Sequence, residues 1–245
     1  MNILLTGGYI TNEEKFFVVL VNIYKMLIER GLINVKDEQQ IKKNIFDIIK
    51  KNNNNNIYKF YIDNPTIHNY YDNNIKYILI KFINSTNVSN DKKSELNEFI
   101  KLEPNVPKIL IVQNINIKNK IKQNINNNEI EIFIYSYFGM NIVDHHLVSK
   151  HILLTENEKN DIIQKYIGDD NMLVKIFKKN NKFDNHDIKN DIINNYGGVI
   201  NKFAKIFTND AISMYYNAKA GDLFRIIRND NNSGHSIYYR YVIDN

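Results

Sequence analysis

Three histidines, His145, His146 and His151, stand in one short stretch beside Asp144, and neutral imidazole is a common metal ligand. Their spacing fits no zinc pattern. There is no H-E-x-x-H, no distant H-x-x-x-H, and the chain has no cysteine to complete a site. Hydrogen-bonded histidines in a segment between domains are the favoured reading. Nuclease chemistry needs carboxylates near a lysine on adjacent strands, to hold magnesium and activate water. Glu103 and Lys108 flank Pro104-Asn105-Val106-Pro107, with Asp63 and Asp72 upstream, but a lysine-rich chain offers such sets by chance and solvated loop charges are favoured. Thr6-Gly7-Gly8 and Gly197-Gly198 lack the lysine and spacing of a phosphate-binding loop, and no serine sits in a nucleophile elbow. No catalytic residue, metal site or cofactor is expected.

Binding chemistry is better represented. Lys118, Lys120 and Lys122 interleave with Ile117 and Ile121. At an exposed edge or helix start they would contact phosphates without reading sequence, although solubilising lysines account for them equally well. Ala218-Lys219-Ala220-Gly221-Asp222-Leu223-Phe224-Arg225-Ile226-Ile227-Arg228 is more unusual. Gly221 gives a tight entry into a nearly apolar strand that Arg225 interrupts and Arg228 ends. Ser233-Gly234 then turns the chain into Ser236-Ile237-Tyr238-Tyr239-Arg240-Tyr241-Val242. Arginines and tyrosines are enriched at protein interfaces, and so small a hairpin has little core of its own.

The elements that must position these residues follow from capping boxes and periodicity. Thr11-Asn12-Glu13-Glu14 opens a helix carrying Phe16, Val19, Leu20, Ile23, Tyr24 and Leu27 up to Arg30-Gly31, and Ile41, Ile45, Ile48 and Ile49 place a second before the asparagine run at 52–56. Runs rich in β-branched and aromatic residues at 57–62, 76–83, 109–112 and 130–137 predict strands, with helices at 92–101 and 117–125 between them. After Gly139 the pattern changes. Thr155-Glu156-Asn157-Glu158 opens a helix with Ile162, Ile163 and Tyr166 on one face; residues 167–201 read as a polar surface insertion and 210–216 as a short helix. Strands at 223–228 and 236–242 are joined by a loop over 229–234. The fold class is α/β (α+β): an N-terminal α/β domain with a mixed sheet over residues 1–139, and a small C-terminal α+β domain ending in a β-hairpin over 140–245.

Composition bounds the rest. At 245 residues and 43% hydrophobic content the chain can bury one moderate core or two small ones. The net charge of +5 suits a neighbour of nucleic acid but falls short of a dedicated binder. Apolar stretches such as 16–21 and 109–112 are far below the roughly 20 residues that cross a bilayer, and Met1-Asn2-Ile3 lacks a basic leader, so no membrane or secretory role is expected. Without cysteine, stability comes from packing. The overuse of Asn, Ile and Lys reflects AT-rich coding.

At the hairpin the chain resembles RNA polymerase subunit 5 of eukaryotes and its archaeal counterpart. That family ends in an Asp before a short aromatic-containing helix, a Gly-(Asp/Glu)-x-x-(Lys/Arg)-Ile-Ile-Arg strand, a Ser/Thr-(Ser/Ala)-Gly turn and a Tyr-Arg strand. The matching residues are Asp210, Tyr215, the segment from Gly221 to Arg228, Ser233-Gly234 and Tyr239-Arg240. The family linker of the His-x-Leu-Val-Pro-Lys-His type resembles His146-Leu147-Val148-Ser149-Lys150-His151, followed by Leu154-Thr155-Glu156-Asn157-Glu158-Lys159. The first helix ending in Glu29-Arg30-Gly31, and Gln113-Asn114 after a short strand, resemble the eukaryotic jaw domain, which the archaeal protein lacks. Ser149 replaces the linker proline, Ala211 replaces the proline after the family's Asp, and the jaw's Thr-Pro-Ser-Ala segment is missing after Gln113-Asn114.

The resemblance implies a non-catalytic structural subunit of a multisubunit DNA-directed RNA polymerase. Its C-terminal domain would dock on the largest subunit, among other polymerase subunits, with His146, Leu147, Val148, Lys150 and His151 among the partner-binding residues and the segment they form setting the angle between domains. Tyr215, Gly221, Arg225 and Arg228, then Gly234, Tyr239 and Arg240, would anchor assembly. The jaw would reach downstream duplex DNA, with Lys118, Lys120 and Lys122 as a weak, non-specific, charge-only contact. No self-oligomer is implied. The departures and the AT-rich coding point to a large DNA virus, hence to a virion and the host cytoplasm or nucleus, with a nuclear cellular protein as the alternative. Two other functional classes stay open: a nuclease, or a free-standing DNA-binding module, built on the N-terminal domain.

Overall fold

The computed structural model describes residues 11–35, 37–51, 56–64, 74–83, 95–124, 130–167, 203–230 and 234–244. The chain divides into two compact units, Met1–His145 and His146–Asn245. Among the described residues no helix is long and apolar enough to cross a membrane.

The first unit is built on helices α1 (Asn12–Glu29), α2 (Glu38–Lys51), α3 (Glu95–Lys101) and α4 (Ile115–Asn124), and on strands β1 (Ile57–Tyr61), β2 (Tyr77–Ile83), β3 (Lys108–Val112) and β4 (Ile130–Ile134). The predicted capping box opens α1: Glu14 N–H donates to Thr11 Oγ1 at 3.2 Å and Thr11 N–H to Glu14 Oε2 at 2.7 Å. Gly31, at φ 74°, ends it, with Leu32 N–H reaching back to Leu27 O and Gly31 N–H to Ile28 O. The sheet order is β1-β2-β3-β4, with β1 antiparallel to β2 and the other pairs parallel.

Register sorts the side chains onto two faces. Tyr58, Phe60, Ile80, Phe82 and Phe133 share one face, where Phe16 and Tyr24 of α1 meet Tyr58, Phe82 and Phe60 through ring contacts. Leu79, Ile83, Leu110, Val112, Ile132 and Ile134 form the other, packed on Leu96 and Phe99 of α3 and Ile117 and Ile121 of α4. The central strands β2 and β3, covered by helices on both sides, therefore lack the inside–outside alternation that β1 shows. Two buried charges are tied down. The Arg30 guanidinium, just past α1, takes both carboxylate oxygens of Glu131 on β4, at 2.9 and 2.7 Å, and Lys81 reaches Glu95 on α3 at 2.8 Å.

The second unit contains β5 (Lys150–Leu153), α5 (Glu156–Ile167), β6 (Ala204–Phe207), α6 (Ala211–Tyr215), β7 (Leu223–Asp230) and β8 (Gly234–Ile243). Its sheet order is β5-β7-β8-β6. The hairpin β7–β8 forms the centre, β5 adds antiparallel to β7, and β6 adds parallel to β8. A second capping box, Thr155 with Glu158, starts α5, and Asp210 Oδ1 caps α6 by accepting from Ile212 N–H at 2.9 Å.

Three expectations need correction, and the structure adds one strand. The strand expected over 130–137 stops at Ile134, because its partner β3 ends at Val112; residues 135–138 coil into a 3-10 turn held by Asn22 Nδ2 donating to Phe138 O at 2.8 Å. The hairpin loop is shorter than 229–234, since Asn229 pairs with His235 and Asp230 with Gly234. Around His151, where the motif reads as a linker, Lys150–Leu153 is an edge strand. Ala204–Phe207 is a strand that periodicity does not reveal, because only Ile206 of its four residues is buried. The insertion expected over 167–201 lies, from residue 168 onward, outside the described residues, as do Asp72, the asparagines at 52–55, Thr6-Gly7-Gly8 and Gly197-Gly198.

Candidate functional site

Antiparallel pairing places directly opposed residues on one side of a sheet. In the second unit this splits the hairpin arginines and tyrosines into two sets. Phe224 opposes Arg240, Ile226 opposes Tyr238 and Arg228 opposes Ser236; His151, opposite Ile226 on β5, joins the same face. Leu223, Arg225, Ile227, Tyr239 and Tyr241 point the other way, together with Ile152. Leu223, Leu154, Ile162 and Phe203 make the core on that second side, and Tyr239 and Tyr241 pack against it, Tyr239 lying 6.2 Å from the Phe203 ring. Tyr239 is thus a packing residue, and Arg225 is separated from Arg228 and Arg240 by the sheet.

The first face is half covered by α6. The Tyr216 ring stands 5.7 Å from Phe224, and its hydroxyl donates to His151 O at 3.0 Å. Tyr215 is buried in α6. His151 Nδ1 donates to Ser149 O at 2.7 Å, and its ring meets Phe224 edge-on at 5.9 Å. Burial holds its pKa below the ordinary histidine value. The Ser149 carbonyl and Asp210 oppose that shift, while the positive charges of Arg240 and Arg228 reinforce it. Beyond α6 the hairpin continues into solvent: Arg228 is exposed, with its guanidinium 4.6 Å over the Tyr238 ring. Arg240 is half-buried, and its Nε is fully buried with no hydrogen-bond partner.

Gly221 and Gly234 occupy positions that other residues resist, at φ 99° and 72°. Gly221 lets the chain double back, so that Gly221 N–H donates to Val242 O and Val242 N–H to Asp222 O, and Lys159 Nζ ties α5 to Gly221 O at 3.2 Å. Their role is conformational. Of the preceding segment, His146 is exposed, Leu147 is 78% exposed, Val148 is half-buried and Lys150 is exposed.

In the first unit the three lysines form no common patch: at about 100° per residue the helix sends Lys120 to the side away from Lys118, and Lys122, one turn on from Lys118, is exposed where Lys118 is buried. α4 buries Lys118, with its Nζ 5.7 Å from the centre of the Tyr137 ring, while Lys120 and Lys122 are exposed. Burial, with Lys122 nearby, lowers the Lys118 pKa to about 8. The described residues of the nuclease constellation do not assemble as one. Lys108 is buried, and its Nζ donates to the carbonyls of Glu103 and Val106 at 2.9 and 3.3 Å, stabilising the turn before β3. The Glu103 carboxylate accepts from the Tyr77 hydroxyl and lies 3.1 Å from Lys59 Nζ, and those two partners hold its pKa below the usual value. Asp63 Oδ2 accepts from Asn34 N–H at 2.9 Å. Asp63 and Glu103 do line one open hollow of about 640 Å³, shared with Tyr24, Asn44 and Lys59, which no motif or periodicity marks.

The family model of the RNA polymerase Rpb5 C-terminal domain matches residues 140–184 and 181–242. No curated protein matches the chain. The matched residues reach all four strands of the second unit's sheet, including the two edge strands that periodicity does not reveal, and stop one residue short of the end of β8. Residues 140–242 thus carry the C-terminal domain of the RNA polymerase subunit 5 family, whose members are non-catalytic subunits of that enzyme.

Proposed function

We propose that the chain is built into a multisubunit DNA-directed RNA polymerase by docking its C-terminal unit on the largest subunit, and that its N-terminal unit stands near downstream duplex DNA. The docking half is supported by the match to the Rpb5 C-terminal domain together with a hairpin end that presents Arg228 on Tyr238 to solvent. A guanidinium already held over a ring loses little freedom on binding, which suits an interface anchor. The DNA half rests on less. Lys120 and Lys122 offer a charge-only contact, and Lys118 drops out because it is buried. A viral source, with a place in virion and infected cell, is part of the proposal, motivated by composition and by Ser149 and Ala211 in place of the family prolines.

The experiment is to express a tagged full-length chain in its source cells and identify what survives a salt wash. The two large polymerase subunits should be recovered in fixed ratio. A chain recovered alone, or with DNA only, would sink the docking assignment.

A further inference from the structure

We propose that Arg240 receives the carboxylate of an aspartate or glutamate side chain from another polymerase subunit, on the sheet face it shares with Arg228, Tyr238 and His151. This rests on the docking reading above and adds the chemistry of the partner.

The first observation is an excess of positive charge. Register brings Arg228 and Arg240 onto one face, and both act electrostatically on His151 beside them. The acid that also acts on His151 is Asp210, and its carboxylate is engaged as the cap of α6 through Ile212 N–H. The second is the orphaned donor. Arg240 Nε is shut away from water with no acceptor, and a buried N–H left in that state is destabilising. Arg240 as a residue is only partly buried, so its Nε–Nη edge can turn toward an incoming group without giving up a bond at Nε.

That edge presents two parallel N–H donors, which match the two oxygens of a carboxylate. Arg228, held over Tyr238, adds long-range attraction without competing for the same oxygens. The Phe224 ring opposite Arg240 and the Tyr216 ring packed on it give the site apolar walls, where a charge-assisted hydrogen bond is stronger than in water.

The test compares the tagged full-length chain with its Arg240→Gln and Arg240→Lys variants, each recovered with the polymerase from source cells before and after nuclease treatment. Arg240→Gln keeps the side chain polar and removes the charge, and should weaken retention roughly ten-fold or more, as loss of a charge-assisted pair does. Arg240→Lys places an amine at the site, which a zero-length carbodiimide couples to a carboxylate in contact. Mass spectrometry should find position 240 joined to an Asp or Glu of another polymerase subunit. Equal retention of wild type and Arg240→Gln, with no such cross-link, overturns the proposal while leaving docking intact. So does retention that nuclease abolishes, since the anion is then a nucleic-acid phosphate. A wild-type chain that recovers no polymerase subunit overturns the docking reading itself. If Arg240→Gln melts at a clearly lower temperature than wild type, the cross-link from Arg240→Lys decides alone.

Discussion

Removing the Glu131 charge tests how the end of α1 is fastened to the last strand of the first sheet. The Arg30 and Glu131 side chains are 4% and 16% exposed, and the two terminal guanidinium nitrogens each sit within 2.9 Å of a carboxylate oxygen. Breaking a buried pair from one side costs about 3–5 kcal/mol, because the remaining charge stays in a poorly solvating place. Glu131→Gln keeps one acceptor oxygen, so the lower end, about 3 kcal/mol, is expected. Native-state hydrogen exchange of the full-length chain reads this locally, and that cost corresponds to roughly hundred-fold faster exchange at the β3 and β4 amides. Replacing both partners by apolar residues, Arg30→Met with Glu131→Leu, should return stability to within about 1 kcal/mol of wild type. Asp144→Asn supplies the control: it breaks an ion pair with Lys25 at 3.6 Å whose side chains are 62% and 28% exposed, and should cost under about 1 kcal/mol. If Glu131→Gln and Asp144→Asn change exchange equally, or the double variant is worse than the sum of its parts, the reasoning fails.

Thr155→Ala removes the reciprocal cap of α5 and should cost about 1 kcal/mol, read as faster exchange confined to the first turns of that helix. Gly221→Ala should cost about 1–2 kcal/mol through backbone torsion, since an added Cβ would meet only Tyr241 Oη, at an ordinary 3.8 Å; a denaturation midpoint unchanged from wild type would argue against strain at φ 99°. For Lys118 the folded pKa of about 8 lies below the ordinary lysine range, so above pH 8 the unfolded chain binds more protons than the folded one and stability rises with pH until the unfolded lysine also titrates. Lys118→Met should therefore raise the denaturation midpoint at pH 7 and flatten the rise between about pH 8 and 10, and an unchanged slope would show that Lys118 is not its source.

The first unit is legible in the sequence where burial is one-sided or where a cap is local. Thr11 and Glu14 mark α1 because the capping box is complete within four residues, and β1 shows because Tyr58 and Phe60 alternate with Lys59 and Tyr61. What escapes is non-local. Lys150–Leu153 and Ala204–Phe207 are short edge strands whose identity comes from the neighbours they pair with, and neither carries enough buried residues to announce itself. The docking residues rest on family motifs, which do not state which side of a sheet each side chain takes. Register separates Tyr239 and Arg225 from Arg228 and Arg240, a division invisible until the β7–β8 pairing is known. Lys118 illustrates the converse: alternating charges look alike in a string, but helical geometry turns one inward.

The order β5-β7-β8-β6 also bears on how this protein is made. The outer strands β5 and β6 are synthesised first and do not touch each other in the sheet; each is held only by the hairpin that follows. A nascent chain that has reached residue 220 therefore carries β5 and β6 before the strands they pair with exist, while every described strand of the first unit has been made. The second sheet can close only when β8 has left the ribosome, because β6 pairs with β8 alone while β5 pairs with β7. Docking through this sheet, as proposed above, would then wait until translation has passed its last strand.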